Sequence, residues 1–391
     1  MPVGPGDTAT WLGGHDRAKI LYVVQLPDYS GAELAQLPIL RADRDPMVAC
    51  PANSRFQELM QREGMPTIDL PFRSLRHSGG VLETIRSVAR GLLLVRDLRR
   101  LLRSVPERQV LYSFQIRPGM VASLATLGLH RRSVWNVTDF LPPAPLRQAV
   151  RLLARWRGDA LIVHSPVLAR DVVGRSRALR ERVSVISPGV QMERFSQPAS
   201  VPGAPRAAIV GHVSPTKRTD FAVEVARLVL AQHPDFELHV LGRAQFRDED
   251  RRFERDLQQT VSADPALARA VRFHGYVDDV PAVLATMGLL LHCRDDEPFG
   301  MVVTEGMAAG LPTVAPAAAG PAEIIEHGRT GLLYGADDPA DAAAQVLAVL
   351  EDAALAARIG AAAREAAQQR FSSARQLREV DRLLATLAGE R

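Results

Sequence analysis

The sequence predicts an α/β protein built as two doubly wound domains, on three observations. Short β-rich runs alternate with longer amphipathic runs, the pattern of a parallel sheet covered by helices on both faces. The alternation begins at residue 19 and begins again near residue 207, with the Pro-, Ser- and Gly-rich stretch SQPASVPGAP at 196–205 between. At 391 residues the chain is also longer than one hydrophobic core ordinarily serves.

The elements follow in order. Residues 1–18 carry no periodic pattern and read as a flexible lead-in. In the first domain, 19–196, strands are expected at 19–24, 46–50, 110–114, 133–138, 160–163 and 183–186, where β-branched, aromatic and aliphatic residues cluster in short runs. Helical stretches separate them. The longest, 84–108, holds Leu92 to Val95, Leu98, Leu101 and Leu102 among seven arginines. It reads either as a domain helix with its apolar face in the core and its arginines in water, or as a face for an anionic membrane surface or acceptor. After a linker at 197–205, the second domain, 206–371, has strands expected at 207–210, 237–241, 271–273, 288–292 and 313–315, and Ala-rich helices from Pro339 onward. A terminal helix is expected within 372–391.

Composition narrows the function classes. Apolar residues make up 47% and charged residues 24%, as in ordinary globular proteins. The two cysteines, Cys50 and Cys293, have no zinc-site or disulfide spacing, and the N-terminal stretch has neither the apolar run of a signal peptide nor that of a membrane span. A cytoplasmic protein, at most peripheral at the inner membrane face, is expected. Residues 1–200 carry 28 Lys and Arg against 17 Asp and Glu, while 201–391 carry 20 against 27, so the halves differ in charge sign. Basic residues without interleaved aromatics or a known binding module argue against nucleic acid. Asp278-Asp279 and Asp295-Asp296 lack the spacing of a metal loop and no histidine partners them, so no metal is expected.

The most informative stretch is EPFGMVVTEGMAAGLPTVA, in which Glu297 and Glu305 stand eight residues apart across a loop-to-helix junction. Glu297 follows the apolar run 287–292, and Glu305 lies in the first turns of a helix that stops at Gly310-Leu-Pro312. Such a junction presents unpaired backbone N–H groups and the positive end of the helix dipole, a site for phosphate or for a ring of hydroxyls. A glutamate in the first turn is also favoured by the dipole with no ligand present. The run Glu-x-Phe-Gly, then x4-Glu-Gly-x-Ala-x-Gly-x-Pro-x-Val, resembles nearly position for position the donor-site signature of retaining glycosyltransferases of family 4 and its relatives.

Other motifs carry the same resemblance. Gly211-His-Val-Ser-Pro-Thr-Lys217-Arg218 is similar to the family's Gly-Arg-x4-Lys-Gly element, with His212 in place of Arg and Arg218 in place of Gly; the chain has only one other lysine, Lys19. Tyr29-Ser30-Gly31-Ala-Glu33 resembles the Gly-Gly-x-Glu turn near the donor phosphates. Trp135-Asn-Val-Thr138-Asp139 resembles the strand ending in His-Asp, with Thr138 replacing the histidine. Pro188-Gly-Val-Gln191-x3-Phe195, Gly320-Pro-Ala-Glu323 and Gly328-x2-Gly331 match further turns and read mainly as turn and packing elements. Gly242, ending the expected strand 237–241, would let backbone approach a nucleotide base.

The resemblance implies the GT-B arrangement, two Rossmann-like domains facing across a cleft, with the terminal helix returning to the first, acceptor-binding domain. It further implies transfer of a sugar from a nucleotide diphosphate sugar to an acceptor hydroxyl with retention of configuration, without cofactor or metal. Glu297 would accept hydrogen bonds from the donor sugar, aided by the backbone at Phe299, Gly300, Met301 and Val302. Glu305 would hold the ribose, Lys217 with His212 the leaving diphosphate, Gly31 the donor phosphates, and Asp139 the acceptor hydroxyl. A cationic His212 would make activity fall between about pH 6 and 8 as its proton leaves; a histidine that only caps or packs would not. Two other classes share these features, a nucleotide-sugar epimerase or hydrolase and a catalytically silent donor-binding subunit.

Overall fold

The computed structural model describes residues 19–29, 31–73, 81–196, 203–245 and 247–389. The lead-in 1–18, Ser30 and most of the linker (197–202) lie outside them. The chain divides into two units, one of 1–188 with 376–391 and one of 189–375.

The first unit holds seven strands, β1 (Lys19–Val23), β2 (Val48–Cys50), β3 (Thr67–Asp69), β4 (Arg108–Phe114), β5 (Arg132–Val137), β6 (Ala160–Val163) and β7 (Val183–Val185). They form one parallel sheet in the order β3-β2-β1-β4-β5-β6-β7. The central strands are buried along most of their length because helices cover both faces. Alternate residues of β1 enter different cores. Tyr22 and Val24 pack with Phe56, Tyr112 and Phe114, whereas Leu21 and Val23 pack with Leu94, Leu98 and Leu102. The terminal helix Ser373–Gly389 places Leu377, Val380, Leu384 and Leu387 in the first of these cores, a helical stripe that ties 376–391 to this unit.

The helix Val81–Ser104 turns Leu94, Leu98 and Leu102 inward, the core reading of this segment. Its arginines are partly engaged: Arg99 donates to the carbonyls of Ala125 and Leu127 at 3.2 and 2.6 Å, and Arg96 meets Asp97 at 3.4 Å. No described helix is long and apolar enough to cross a membrane.

The second unit holds six strands, β8 (Arg206–Val210), β9 (Glu237–Leu241), β10 (Val271–Gly275), β11 (Leu289–Leu291), β12 (Thr313–Pro316) and β13 (Leu332–Tyr334). They too are parallel, ordered β10-β9-β8-β11-β12-β13. Leu289 and Leu291 face one core and Leu290 the other, so both faces are again covered. Each sheet thus grows outward from its first strand and then reverses, the doubly wound order of a Rossmann-like domain.

Two strands escape the sequence pattern, β3 and β13. Each closes a sheet edge; β3 has a single aliphatic residue between Thr67 and Asp69, and β13 directly follows the Gly328 to Gly331 stretch read as a turn. The unit boundary also falls earlier than the expected 196. Residues 189–196 belong to the second unit because Val190 N–H donates to Phe371 O at 2.7 Å and Phe195 packs in that unit's core. The terminal helix starts at Ser373, and 372–375 stay with the second unit, so the part in the first unit begins at Gln376 rather than 372.

Two helical glycines of the first unit have opposite surroundings. A Cβ at Gly119 would lie 2.6 Å from the ring of the fully buried Trp135, whereas a Cβ at Gly91 would meet nothing within 4 Å. Alanine gains about 1 kcal/mol of helix propensity at either position, but overpacking costs about 1–3 kcal/mol at the first. Urea unfolding should therefore show Gly119→Ala net destabilising by up to about 2 kcal/mol and Gly91→Ala stabilising by about 0.5–1 kcal/mol. Equal effects would refute this packing contrast.

Candidate functional site

In an open parallel sheet, ligands bind beyond the carboxyl ends of the strands where the order reverses, because the loops there diverge. In the second unit the reversal lies between β8 and β11, and these two strands launch Lys217 and Glu297.

After β8 the chain passes through Gly211 and His212 into a tight turn, which Ser214 caps by accepting from Lys217 N–H at 3.3 Å. The turn aims the Lys217 side chain at Glu297, with Nζ 2.7 Å from Oε2. Next comes Arg218 at φ 54°, the left-handed region that favours glycine, which gives a physical reason for glycine at this place in the related motif. Arg218 holds the conformation through ion pairs with Asp295, at 3.2 Å, and Asp337, and its guanidinium lies 4.8 Å from the Phe221 ring centre.

After β11 the chain runs through His292, Cys293 and Arg294 to Glu297. Gly320 N–H donates to the Glu297 carbonyl at 2.9 Å, and a Cβ on Gly320 would fall 2.2 Å from the Phe299 carbonyl oxygen. This close approach fixes the loop. Gly300, at φ 111°, then starts the helix Met301–Ala308, whose first-turn N–H groups, including those of Met301 and Val302, have no acceptor within the helix.

Three cationic or titratable groups converge on one carboxylate. Besides Lys217, Arg294 Nη1 lies 3.7 Å and His292 Nε2 4.0 Å from Glu297 Oε2. Burial opposes ionisation of Glu297, yet Lys217, His292 and Arg294 outweigh it and hold its pKa below the ordinary value. His292, buried among these charges, is pushed down to about 4 and stays neutral, its Nε2 without a hydrogen-bond partner. The free space bordered by His212, Lys217 and His292 is about 10 Å³, room for a single water.

Glu305 sits one turn into the helix with the opposite electrostatics. Burial raises its pKa to about 7, and Arg194 opposes the rise only in part. Two carboxylates eight residues apart are thus driven in opposite directions by their surroundings.

The surroundings of three further expected residues are distinctive. Burial first, and then Lys217, lower the His212 pKa, which favours the neutral imidazole. A Cβ at Gly242 would lie 1.8 Å from Gly211 O, so close backbone packing requires a glycine there. The Phe299 ring is a core group, 5% exposed and edge-on to Phe371 at 5.9 Å, which leaves only its backbone for a ligand.

The remaining expected residues belong to the first unit. Gly31 opens the short helix Gly31–Leu34, and a Cβ there would meet nothing within 4 Å. The neighbouring Glu33 is buried and accepts from Gln115 Nε2 at 2.8 Å. Thr138 and the exposed Asp139 follow β5 and line a cavity of about 610 Å³. Sequence reasoning missed His292, Arg294 and Gln25; only Arg294, three residues before Glu297, carried a local signal.

Against known proteins, residues 191–366 match the family model "Glycosyl transferases group 1". The chain is 28% identical over 226 residues to D-inositol 3-phosphate glycosyltransferase of Streptomyces avermitilis, covering 52% of this chain and 47% of that one. It is 37% identical over 103 residues to N-acetyl-alpha-D-glucosaminyl L-malate synthase of Bacillus anthracis, 26% of this chain and 27% of the relative. The chain thus spans about half or less of the length of these curated relatives. Anabaena Alr3699/HepE, solved in complex with UDP, superimposes with a TM-score of 0.79 at 22% identity over 94% of this chain and 100% of its own. Nearly all of the second unit therefore matches the group 1 glycosyltransferases, and the chain as a whole has the two-domain α/β fold of the GT-B class.

Proposed function

We propose that the protein is a glycosyltransferase that moves a sugar from a nucleotide diphosphate sugar to an acceptor hydroxyl with retention of configuration. The observation that carries this reading is the Lys217–Glu297 pair at the sheet reversal, directly before the Gly300 helix start and within the matched region. The Anabaena protein is solved with UDP and with UDP-glucose, which supports a uridine diphosphate donor.

In this reading the second unit binds the donor. Glu297, kept ionised, accepts hydrogen bonds from sugar hydroxyls, and the first-turn N–H groups at Gly300, Met301 and Val302 face the same ligand. Glu305 accepts from the ribose. As the bond from the anomeric carbon to the diphosphate breaks, its electron pair goes to the phosphate oxygen, where Lys217 and Arg294 meet the growing charge. The acceptor oxygen bonds to the anomeric carbon from the same face, and its proton passes to the departing phosphate. His212 serves as a neutral hydrogen-bonding group. The first unit binds the acceptor, with Asp139 at its hydroxyl and Gly31 by the donor phosphates.

These cations do the work a divalent ion would otherwise do, so EDTA should leave the rate unchanged. Among the described residues, no group of three His, Cys, Asp or Glu side chains is placed to hold a metal ion.

The first test is thermal shift with UDP- and GDP-sugars. A ligand that binds only the folded state raises the melting temperature, and UDP-sugars should do so. No shift with any donor would sink the reading. Sugar release without added acceptor would turn it into hydrolysis or epimerisation. Binding without turnover would leave a silent subunit.

Lys217→Ala should lower kcat by about 10²–10³, since its partner charge forms in the transition state; a change in KM alone would contradict that role. A melting curve must accompany it, because the substitution leaves Glu297 buried without its closest cation.

Glu305 gives two pH dependences of opposite sign. Its folded pKa of about 7 lies above the ordinary 4.5, so between these values the folded protein holds a proton that the unfolded chain releases. The stabilisation is full below pH 4.5 and is lost as pH rises through 7, about 3 kcal/mol in all. Donor binding needs the carboxylate, so UDP affinity should rise over the same interval. Glu305→Gln should flatten both profiles, and a UDP affinity that falls from pH 6 to 8 would remove Glu305 from the ribose.

A further inference from the structure

The sheet of the first unit reverses between β1 and β4, and a cavity of about 610 Å³ opens there, within the size range of small-molecule sites. Gln25 after β1, Gln115 after β4 and Asp139 after β5 all line it. We infer that this cavity binds an acceptor with an apolar body, seated so that its hydroxyl-bearing end lies at Gln25 and Asp139. Calling the ligand an acceptor rests on the function proposed above; the cavity and its chemistry do not.

Three observations carry the inference. The first is the wall. Helix Val81–Ser104 presents Val88 and Leu92, 60% and 62% exposed, and the facing helix Ile116–Ala125 presents Met120 and Leu124. Apolar surface of this kind gains from a ligand that removes it from water.

The second is Gly91, which lines the cavity from the middle of the same helix. A helix-interior glycine weakens a helix and is commonly retained for close packing. Here a Cβ would meet nothing within 4 Å, so no packed neighbour requires the glycine; it keeps the cavity open.

The third is Gln25. The residue is 9% exposed, and both Oε1 and Nε2 are buried without a hydrogen-bond partner. An unsatisfied buried amide costs desolvation that a ligand can repay. A hydroxyl can accept from Nε2 and donate to Oε1, which makes an alcohol the fitting partner. A wholly polar saccharide would instead lose hydration against Val88 and Leu92. The ligand that suits both ends is an alcohol or glycoside with an alkyl or aryl body.

The test is calorimetric titration of the full chain, without donor, by octyl β-D-glucopyranoside below its micelle concentration and by methyl β-D-glucopyranoside. Burying about four of the added methylenes gives on the order of a hundredfold tighter binding of the octyl compound. Gly91→Trp should abolish that preference by filling the cavity, while its UDP-induced melting shift stays that of the wild type. Gln25→Leu should keep the preference and weaken both glucosides about five- to tenfold. Equal binding of the two glucosides, or a preference that survives Gly91→Trp, overturns the inference. An octyl preference removed by Gly91→Trp in a protein that no nucleotide sugar stabilises would uphold the apolar site and reject the transferase reading.

Discussion

Reversal of strand order at the middle of each sheet is the constraint on which the rest of this molecule depends. Parallel strands need crossover connections, and right-handed crossovers send helices to opposite faces on either side of the first strand. The loops leaving β8 and β11 therefore diverge, as do those leaving β1 and β4. A gap opens where the backbone cannot cover the sheet end. In the second unit charge fills that place, through Lys217 and Glu297; in the first it is lined mainly by apolar side chains, with two amides, two hydroxyls, Arg117 and Asp139 among them.

The charges of the second unit are arranged, not merely close. Burial alone would neutralise Glu297, and a carboxylate kept ionised in such a place must be compensated by partners held in position. The Ser214-capped turn positions Lys217, and the Gly320 contacts fix the loop that carries Glu297. Glu305 lies one turn into the next helix and lacks such partners, with only Arg194 opposing its burial. Environment rather than residue type separates the two glutamates and drives their pKa values in opposite directions.

Much of this was legible because local chemistry and global fold agree. The strand runs of both halves stand close to where the pattern puts them, since strands buried on both faces read as continuous apolar runs. Lys217 stood out because lysine occurs only twice. The edge strands β3 and β13 were not legible, because β3 carries one aliphatic residue and β13 adjoins a glycine-marked turn. The close approach of Gly242 to the Gly211 backbone was not legible, because a glycine needed by a neighbouring backbone looks in sequence like one needed by a ligand.

The sequence by itself determined the alternating pattern, the two-domain division, and the Glu297 to Glu305 junction with its helix start, because each is written in residues near one another along the chain. Only the tertiary structure decided which charges meet. Lys217 and Glu297 are 80 residues apart, and burial, which no single segment encodes, shifts the pKa of His212 and His292 down and that of Glu305 up. The cavity of the first unit belongs to the same class. Gln25, Gly91 and Asp139 come from three separate segments, and their shared meaning arises only where the sheet reverses and brings them to one space.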